Sequence, residues 1–417
     1  MIEVKVIATT QEFMALGPIW NDLLDRSPQR SPYLTHEWLY SWWEAFGESA
    51  LKLHTVLFYE NTTEEENLIG ILPAYTITLS RFPFLRTLRF LGSEYIGSDF
   101  LDMIVLPGKE TTVCRALFAH LAGWNDFELV ELRGVPEDSC VVAALDTFST
   151  LHGLKCDIQF NEVCVSIDLP PTYEMYRSAM TPQRRKNLRY RRRAERQGAV
   201  LEIVTREEDL DQGISDLIRL HNSRRTQKGD LGCFSSEQLL RFHLSAFKRF
   251  FSRGWLKLMF LRIGTERVAA LCNFDYGDKI HGYATGFDPK WEQNRVGYVL
   301  MLIDIEKAIS DKKTSLELSR VGHAYKYRLG ANRKRTVTDV CLRNGNIPAE
   351  MYLRTRDFKV NLKAAVTTMA PKVVEFLKKA RLKLVTRAST YTTTHWIWVA
   401  FIVNETGVGS CFLPILR

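Results

Sequence analysis

The sequence predicts an α/β (α+β) protein of two tandem units, each a mixed sheet flanked by helices, followed by a basic helical tail. Three observations lead there. One order of elements (strand, two helices, strands, helix, strand, helix, strand) runs twice along the chain, in element order and not in residue identity. Pro170-Pro171 separates the two runs with a stiff dipeptide through which no helix continues. Strands alternating with helical stretches are the pattern of a sheet covered on both faces. The expected domains are 1–170 and 171–345, with a C-terminal extension over 346–417.

In the first unit a strand at Ile2–Ile7 leads into a helix over Gln11–Arg26 and a second helix from Thr35 to Phe46. Thr35 suits the cap of that helix, and Trp38, Leu39, Trp42, Trp43 and Phe46 form an aromatic stripe that reads as core. Strands are expected at Leu53–Tyr59, Leu68–Thr76, Leu101–Leu106, Phe127–Leu132 and Val163–Leu169, with helices at Glu110–Ala122 and Glu137–Leu151. The second unit reads as helices Thr172–Met180 and Pro182–Gln197, then strand Val200–Thr205. Helices Arg206–Thr226 and Ser235–Phe251 follow, then strands Trp255–Ile263, Val268–Tyr276 and Ile280–Phe287. A helix is expected after Arg295, because Tyr298, Met301, Leu302, Ile305 and Ile309 recur at helical spacing. Strands at Ser315–Leu318 and Thr336–Leu342 complete the unit.

A chain of 417 residues exceeds one compact core. Its 46% hydrophobic and 25% charged content is that of a globular protein. Eight cysteines without a Cys-x-x-Cys pair point to reduced thiols and no metal site. Met1-Ile2-Glu3-Val4-Lys5 lacks the form of a signal peptide, and no apolar run approaches the roughly 20 residues of a membrane span. The expected location is therefore cytoplasmic, with peripheral contact at the inner face of the membrane left open.

The net charge of +8 sits in two patches: Arg184–Arg196 carries a local +7 and Met351–Thr390 a local +8, leaving the remainder negative. That distribution argues against a dedicated nucleic-acid binder. In the tail, Leu362, Val366, Met369, Val373, Leu377, Ala380 and Leu384 make an apolar face, interrupted at Pro371 and surrounded by lysines. Such a face suits an anionic membrane surface through 354–403, with Trp396-Ile397-Trp398 as an anchor, or docking on the protein's own core.

The stretch Lys279–Asp311 organises the second unit. A strand ends at Asp288-Pro289, and a polar loop leads through Arg295-Val296-Gly297-Tyr298-Val299 into the helix. Unpaired amides at a helix N-terminus, with the helix dipole, suit a phosphate. Asn294–Val299 resembles the pyrophosphate-binding turn of GNAT-type acyltransferases, Arg/Gln-x-x-Gly-x-Gly/Ala, keeping the first glycine and lacking the second.

Three further stretches carry a resemblance. Thr181–Arg193 resembles an Arg-rich segment, His36–Gly47 an N-terminal aromatic helix, and Leu316–Gly330 a C-terminal signature usually ending Gly-Asp-Glu-x-Tyr-Lys-x-x-Trp-Gly. Together they are similar to the CelD/BcsL-like GNAT acetyltransferase group, which is related to the Fem-type aminoacyl transferases. The likeness covers about Met1–Leu342. It implies tandem GNAT-like domains and acetyl-coenzyme A or another acyl-coenzyme A as co-substrate, bound at Arg295, Val296, Gly297, Tyr298 and Val299. It also implies a sugar, sugar-nucleotide or glycan acceptor in cell-surface polysaccharide synthesis. The alternatives are a Fem-type transferase using aminoacyl-tRNA and a non-catalytic adaptor at the membrane surface. The chain departs from the signature at Val321-Gly322-His323 and at Leu329.

Acyl transfer needs positioned reactants, a donor to the carbonyl oxygen and removal of a proton. His323, Glu317, Asp288 and His281 are the candidate bases. His323 titrates near neutrality beside Tyr325, although a polar surface residue is the plainer reading. In GNAT enzymes a tyrosine protonates the departing thiolate, which the resemblance assigns to Tyr325; a buried structural tyrosine is the alternative. Lys326 would hold an acceptor carboxylate or phosphate, or is a solvated lysine. His221 and Arg224, at the end of the helix after the unit's first strand, and Asp288 beside the turn are expected acceptor contacts; helix-end basic residues also simply complement the dipole.

Overall fold

The computed structural model describes residues 2–47, 50–61, 66–79, 85–123, 127–227, 231–320 and 323–369. The first half runs β1 (Ile2–Ile7), α1 (Thr10–Ala15), α2 (Gly17–Arg26), α3 (His36–Phe46), β2 (Leu51–Leu53), β3 (Thr55–Asn61), β4 (Glu66–Leu72), β5 (Ala74–Thr78) and β6 (Arg86–Phe90). It continues through β7 (Ile104–Val105), α4 (Glu110–Gly123), β8 (Leu129–Pro136), α5 (Cys140–Leu151) and β9 (Lys155–Asp168). The second half runs α6 (Tyr173–Ser178), α7 (Pro182–Arg196), β10 (Ala199–Ile203), α8 (Leu210–Gln227), α9 (Glu237–Ser252), β11 (Leu256–Ile263), β12 (Glu266–Tyr276) and β13 (Lys279–Phe287). It ends with α10 (Val296–Ser310), β14 (Ser315–Arg320), α11 (Ala324–Leu329), β15 (Arg333–Arg343) and α12 (Ile347–Met369).

Local chemistry sets the helix starts. Thr9 and Glu12 close a capping box on α1, Thr35 accepts from Trp38 N at the head of α3, and Thr181 accepts from Arg184 N ahead of Pro182 in α7. The expected single helix over Gln11–Arg26 is two, because Gly17-Pro18 interrupts the first helix and starts the second. The expected strand Leu68–Thr76 is also two. Pro73 breaks it, and the pieces join different sheets. The strand expected at Leu101–Leu106 shrinks to Ile104–Val105.

Two sheets result, with helices on their faces: a small one in the order β1-β3-β4-β7 and a large one in the order β10-β11-β12-β13-β14-β9-β15-β8-β6-β5-β2. This is an α/β architecture of mixed sheets flanked by helices. The large sheet runs through both halves. β9, from the first, lies antiparallel between β14 and β15, and β15 pairs in turn with β8. The aromatic stripe of α3 is core, as its spacing indicated. Trp38 meets Phe242 at 4.8 Å, Phe274 at 5.4 Å and Tyr283 at 5.4 Å, so the first half's helix fills the second half's interior. Arg249–Glu44 (2.7 Å) and Arg253–Glu37 (2.7 Å) rim that contact.

α12 lies on the first half. Its Arg356 joins Arg89 and Arg133 around Glu131, a fully buried carboxylate. Met351, Phe358, Leu362 and Met369 stay exposed on the helix. The part of the expected membrane face from 370 onward, including Pro371 and Trp396-Ile397-Trp398, lies outside the described residues. No helix among the described residues is long and apolar enough to cross a membrane.

Candidate functional site

β13 and β14 are parallel neighbours, and they pair only from Lys279–His281 to Ser315–Glu317. Beyond that they part. β14 turns at Ser319, whose φ is 65°, and continues against β9, while β13 stays on β12 as far as Phe287. A bulge falls at Tyr283, because Asn273 pairs with Gly282 and Cys272 with Ala284. The far side of β13 is therefore an open edge at the mouth of a wedge, able to bond an extended amide-bearing chain.

α8 reaches that mouth because Gly286 lets it. A Cβ there would stand 2.3 Å from His221 N. His221 Nδ1 lies 3.1 Å from Thr285 O, so it carries the proton, and Nε2 then accepts from Cys233 N at 3.4 Å. Both nitrogens thus serve the scaffold. Arg224 donates to Thr285 Oγ1 at 3.1 Å and lies 5.3 Å over the Phe287 ring. No carboxylate among the described residues pairs with it, and partial burial lowers its pKa without removing its charge. A half-buried guanidinium of this kind is an anion or carbonyl partner. Tyr325 shares its electrostatic field: burial raises the phenol's pKa, against the pull of Arg224 and Arg225, so it keeps its proton at neutral pH. His323, exposed at the head of α11, stacks on Tyr325 at 6.1 Å.

At the end of β13 the chain turns through Arg295, left-handed at φ 52°, into α10. Val299 N bonds Arg295 O at 3.0 Å, so Val296, Gly297 and Tyr298 supply first-turn amides that have no helical carbonyl to bind. Positive charge gathers there: Arg184, Arg328 and Arg295 all act on Tyr298, and Arg295 lies 4.8 Å over the Tyr190 ring. α7 crosses this helix, with Asn187 acting on the Tyr298 phenol and Arg191 paired to Glu306 at 2.6 Å. Arg184 donates to Leu329 O at 2.9 Å and occupies the space that Gly330, at φ 109°, leaves open. That tie fixes α11, and with it Tyr325. Free first-turn amides with arginines around them are of the kind that suits an anion, and Val299, in place of the usual second small residue, is buried in the core.

Other expected residues lie elsewhere. Lys326 is buried and its ammonium donates to Ser319 O (3.0 Å) and Arg320 O (2.5 Å), so it secures the turn of β14 and is not an acceptor contact. Asp288 accepts from Lys290 N at 3.0 Å and caps the short helix at Pro289–Asn294, which spends its side chain on the backbone. Glu317 faces away from α10. Its strand neighbour Leu316 packs with Ile280 and Ile305 on the α10 side, so alternation sends Glu317 and its pair His281 to the other face. Burial raises the Glu317 pKa. Val321 and Gly322 of the signature lie outside the described residues. Thr285, Phe287, Asn187 and Tyr190 were not singled out from the sequence. The last two sit inside the arginine-rich segment.

Residues 182–327, from α7 to α11, match the sequence model of the acetyltransferase (GNAT) domain. The match contains the wedge, the turn into α10, Arg224 and Tyr325. The chain therefore carries a GNAT acetyltransferase domain, and by class it is an acyltransferase, of the kind that takes acyl-coenzyme A. Among solved structures it is similar to FemX, at 10% identity over 82% of this chain and 98% of that chain, with a TM-score of 0.58. It is also similar to a conserved protein of unknown function from Bacteroides thetaiotaomicron, at 11% identity over 82% and 100%, TM-score 0.51. A third is the C-terminal domain of a putative lysylphosphatidylglycerol synthetase from Agrobacterium fabrum, at 9% identity over 86% and 98%, TM-score 0.48. At these identities the likeness is one of fold. No curated protein matches the sequence.

Proposed function

We propose that this protein transfers an acyl group from acyl-coenzyme A to nitrogen or oxygen of a sugar, sugar-nucleotide or glycan precursor in cell-surface polysaccharide synthesis. The observation that carries the donor half is the wedge between β13 and β14 opening beside the first turn of α10. In this reading the pantetheine amides run along the open edge of β13, and the diphosphate lies on the amides of Val296, Gly297 and Tyr298. The acceptor attacks the thioester carbonyl directly, with His323 taking its proton. As the carbon–sulfur bond breaks, Tyr325 gives a proton to the sulfur and recovers it from solvent. Arg224 holds an anionic or carbonyl group of the acceptor. Peripheral contact with an anionic membrane through 354–403, supported up to Met369 by the exposed apolar side chains of α12, belongs to the same proposal.

One feature favours a second reading, an aminoacyl-tRNA-dependent transfer. Arg185, Lys186, Arg189, Arg192, Arg193 and Arg196 form an exposed stripe along α7, and the fold is similar to that of FemX.

The deciding assay follows free-thiol release from acetyl-coenzyme A with hexosamine and nucleotide-sugar acceptors, beside transfer from charged tRNA. Thiol release that depends on acceptor, and drops at least about tenfold in Arg224→Ala, is expected. Transfer from charged tRNA with no thiol release would replace this reading with the second.

A further inference from the structure

A cavity of about 520 Å³ lies on the face of the large sheet away from α10, at the seam of the two halves. Its volume is that of a small-ligand pocket, roughly 300–1,000 Å³. The loop after α2 brings Arg30, and the segment ahead of β7 brings Phe100. The turn after β8 brings Asp138, while the starts of β13, β14 and β15 bring Lys279, Glu317 and Arg335. Six segments remote in sequence thus place charge of both signs around one space.

Some of that charge is committed. Arg335 pairs with Asp138 at 2.6 Å and lies 4.8 Å over Phe100. Lys279 has no carboxylate within 4 Å among the described residues, and Arg30 reaches only Asp25, at 3.8 Å. Glu317 accepts from Ser315 Oγ through Oε1 at 3.0 Å, and among the described residues its second oxygen has no hydrogen-bond donor. His281, 4% exposed in the wall, has both ring nitrogens unpartnered among the described residues. Buried and half-buried polar groups ordinarily find partners. Here a lysine without an ion-pair partner among the described residues, a loosely paired arginine, a carboxylate and the Phe100 ring line one small cavity. A purely apolar ligand would strand the charges, and a bare cation would meet Lys279 and the arginines.

We propose that this cavity binds a phosphorylated sugar, its phosphate between Lys279 and Arg30 and its hydroxyls donating to Glu317 and Asp138. The pair His281–Glu317 is the last before β13 and β14 part, so the occupant lies across the sheet from the donor turn. The site does not rest on the donor reading, and either one can fail alone.

Calorimetry and thermal shift with glucose 1-phosphate, glucosamine 1-phosphate, glucose and inorganic phosphate test it on the full chain. Both sugar phosphates are expected to bind at millimolar or lower concentration and to raise the melting temperature, with glucose inert. Lys279→Glu is expected to weaken them by at least about tenfold, the equivalent of one lost charge-assisted contact. Arg30→Ala, on an exposed loop, gives a second reading should Lys279→Glu not fold. Glu317→Gln is expected to weaken the sugar phosphates and leave inorganic phosphate unchanged. Absence of binding by the folded protein, unchanged affinity in both cation variants, or inorganic phosphate binding as tightly as the sugar phosphates would each overturn the proposal.

Discussion

Gly286→Ala is a sharp test of how the acceptor side of the wedge is built. The new methyl would lie 2.3 Å from His221 N, 2.5 Å from Leu220 C and 2.7 Å from His221 Cα. Ordinary contact needs about 3.4 Å or more, so α8 must withdraw from β13 by about 1 Å, and both partners are backbone that no rotamer change relieves. Overpacking costs about 1–3 kcal/mol where side chains can adjust; here the upper end is expected. At about 2–4 °C per kcal/mol the melting temperature falls by roughly 6–12 °C. Withdrawal also carries His221 and Arg224 away from Thr285, whose bonds stand at 3.1 Å, beyond hydrogen-bonding reach. Thermal unfolding by circular dichroism, with Gly97→Ala as a control in open space, reads the first effect. Loss of acceptor-dependent thiol release in the folded variant reads the second. A Gly286→Ala protein with the wild-type melting temperature would refute backbone-to-backbone packing of α8 on β13.

Two further outcomes follow from buried carboxylates. Glu131 is fully buried among Arg89 (2.6 Å), Arg133 (2.8 Å) and Arg356 (3.2 Å); burial alone would raise its pKa, but the three guanidinium groups bring it to about 2. Glu131→Gln leaves them facing one another and should cost about 3–5 kcal/mol in denaturant unfolding, while also loosening α12 to limited proteolysis; a change below about 1 kcal/mol would contradict that. Asp102 accepts from Ser139 Oγ (2.7 Å) and Met103 N (2.8 Å), yet burial pushes its pKa up to about 7. A raised carboxyl pKa favours the folded state at low pH. Its contribution is fully present below about pH 4 and is lost as pH rises through about 7, up to about 4 kcal/mol in all. Asp102→Asn should flatten unfolding free energy against pH across that window, and an unchanged slope would show that Asp102 does not carry it.

Much of the architecture was legible in the sequence because it is written locally. Thr35 and the aromatic spacing gave α3, the helix expected over Pro182–Gln197 is α7, and Tyr298 to Ile309 gave α10. What was not legible lies in long-range pairing. β9 begins at Lys155 and not at Val163, since Ile158 and Phe160 point outward and blur the alternation that marks a strand. No local signal says that β9 lies between β14 and β15, or that one sheet joins both halves. The same limit applies to the site. Arg224 was singled out by its place at a helix end, and Arg295 and Tyr325 through the resemblance; their roles stand as proposed. Period-two spacing put Glu317 beside Leu316 on opposite faces but could not say which face holds α10. Lys326 looked free because its partners are carbonyls of a turn formed by the left-handed Ser319, which sequence does not announce.

The central claim is that the first turn of α10 and the wedge beside it receive acyl-coenzyme A, and calorimetric titration of acetyl-coenzyme A into the protein and into Gly297→Trp tests it most directly. A Cβ at Gly297 would already stand 3.2 Å from the Phe287 ring, so the indole must occupy the space over the turn. One equivalent bound by the native protein, with affinity at least about tenfold weaker in a folded Gly297→Trp, is the expected result. No heat of binding from the folded native protein, or equal affinity in the two, would contradict it.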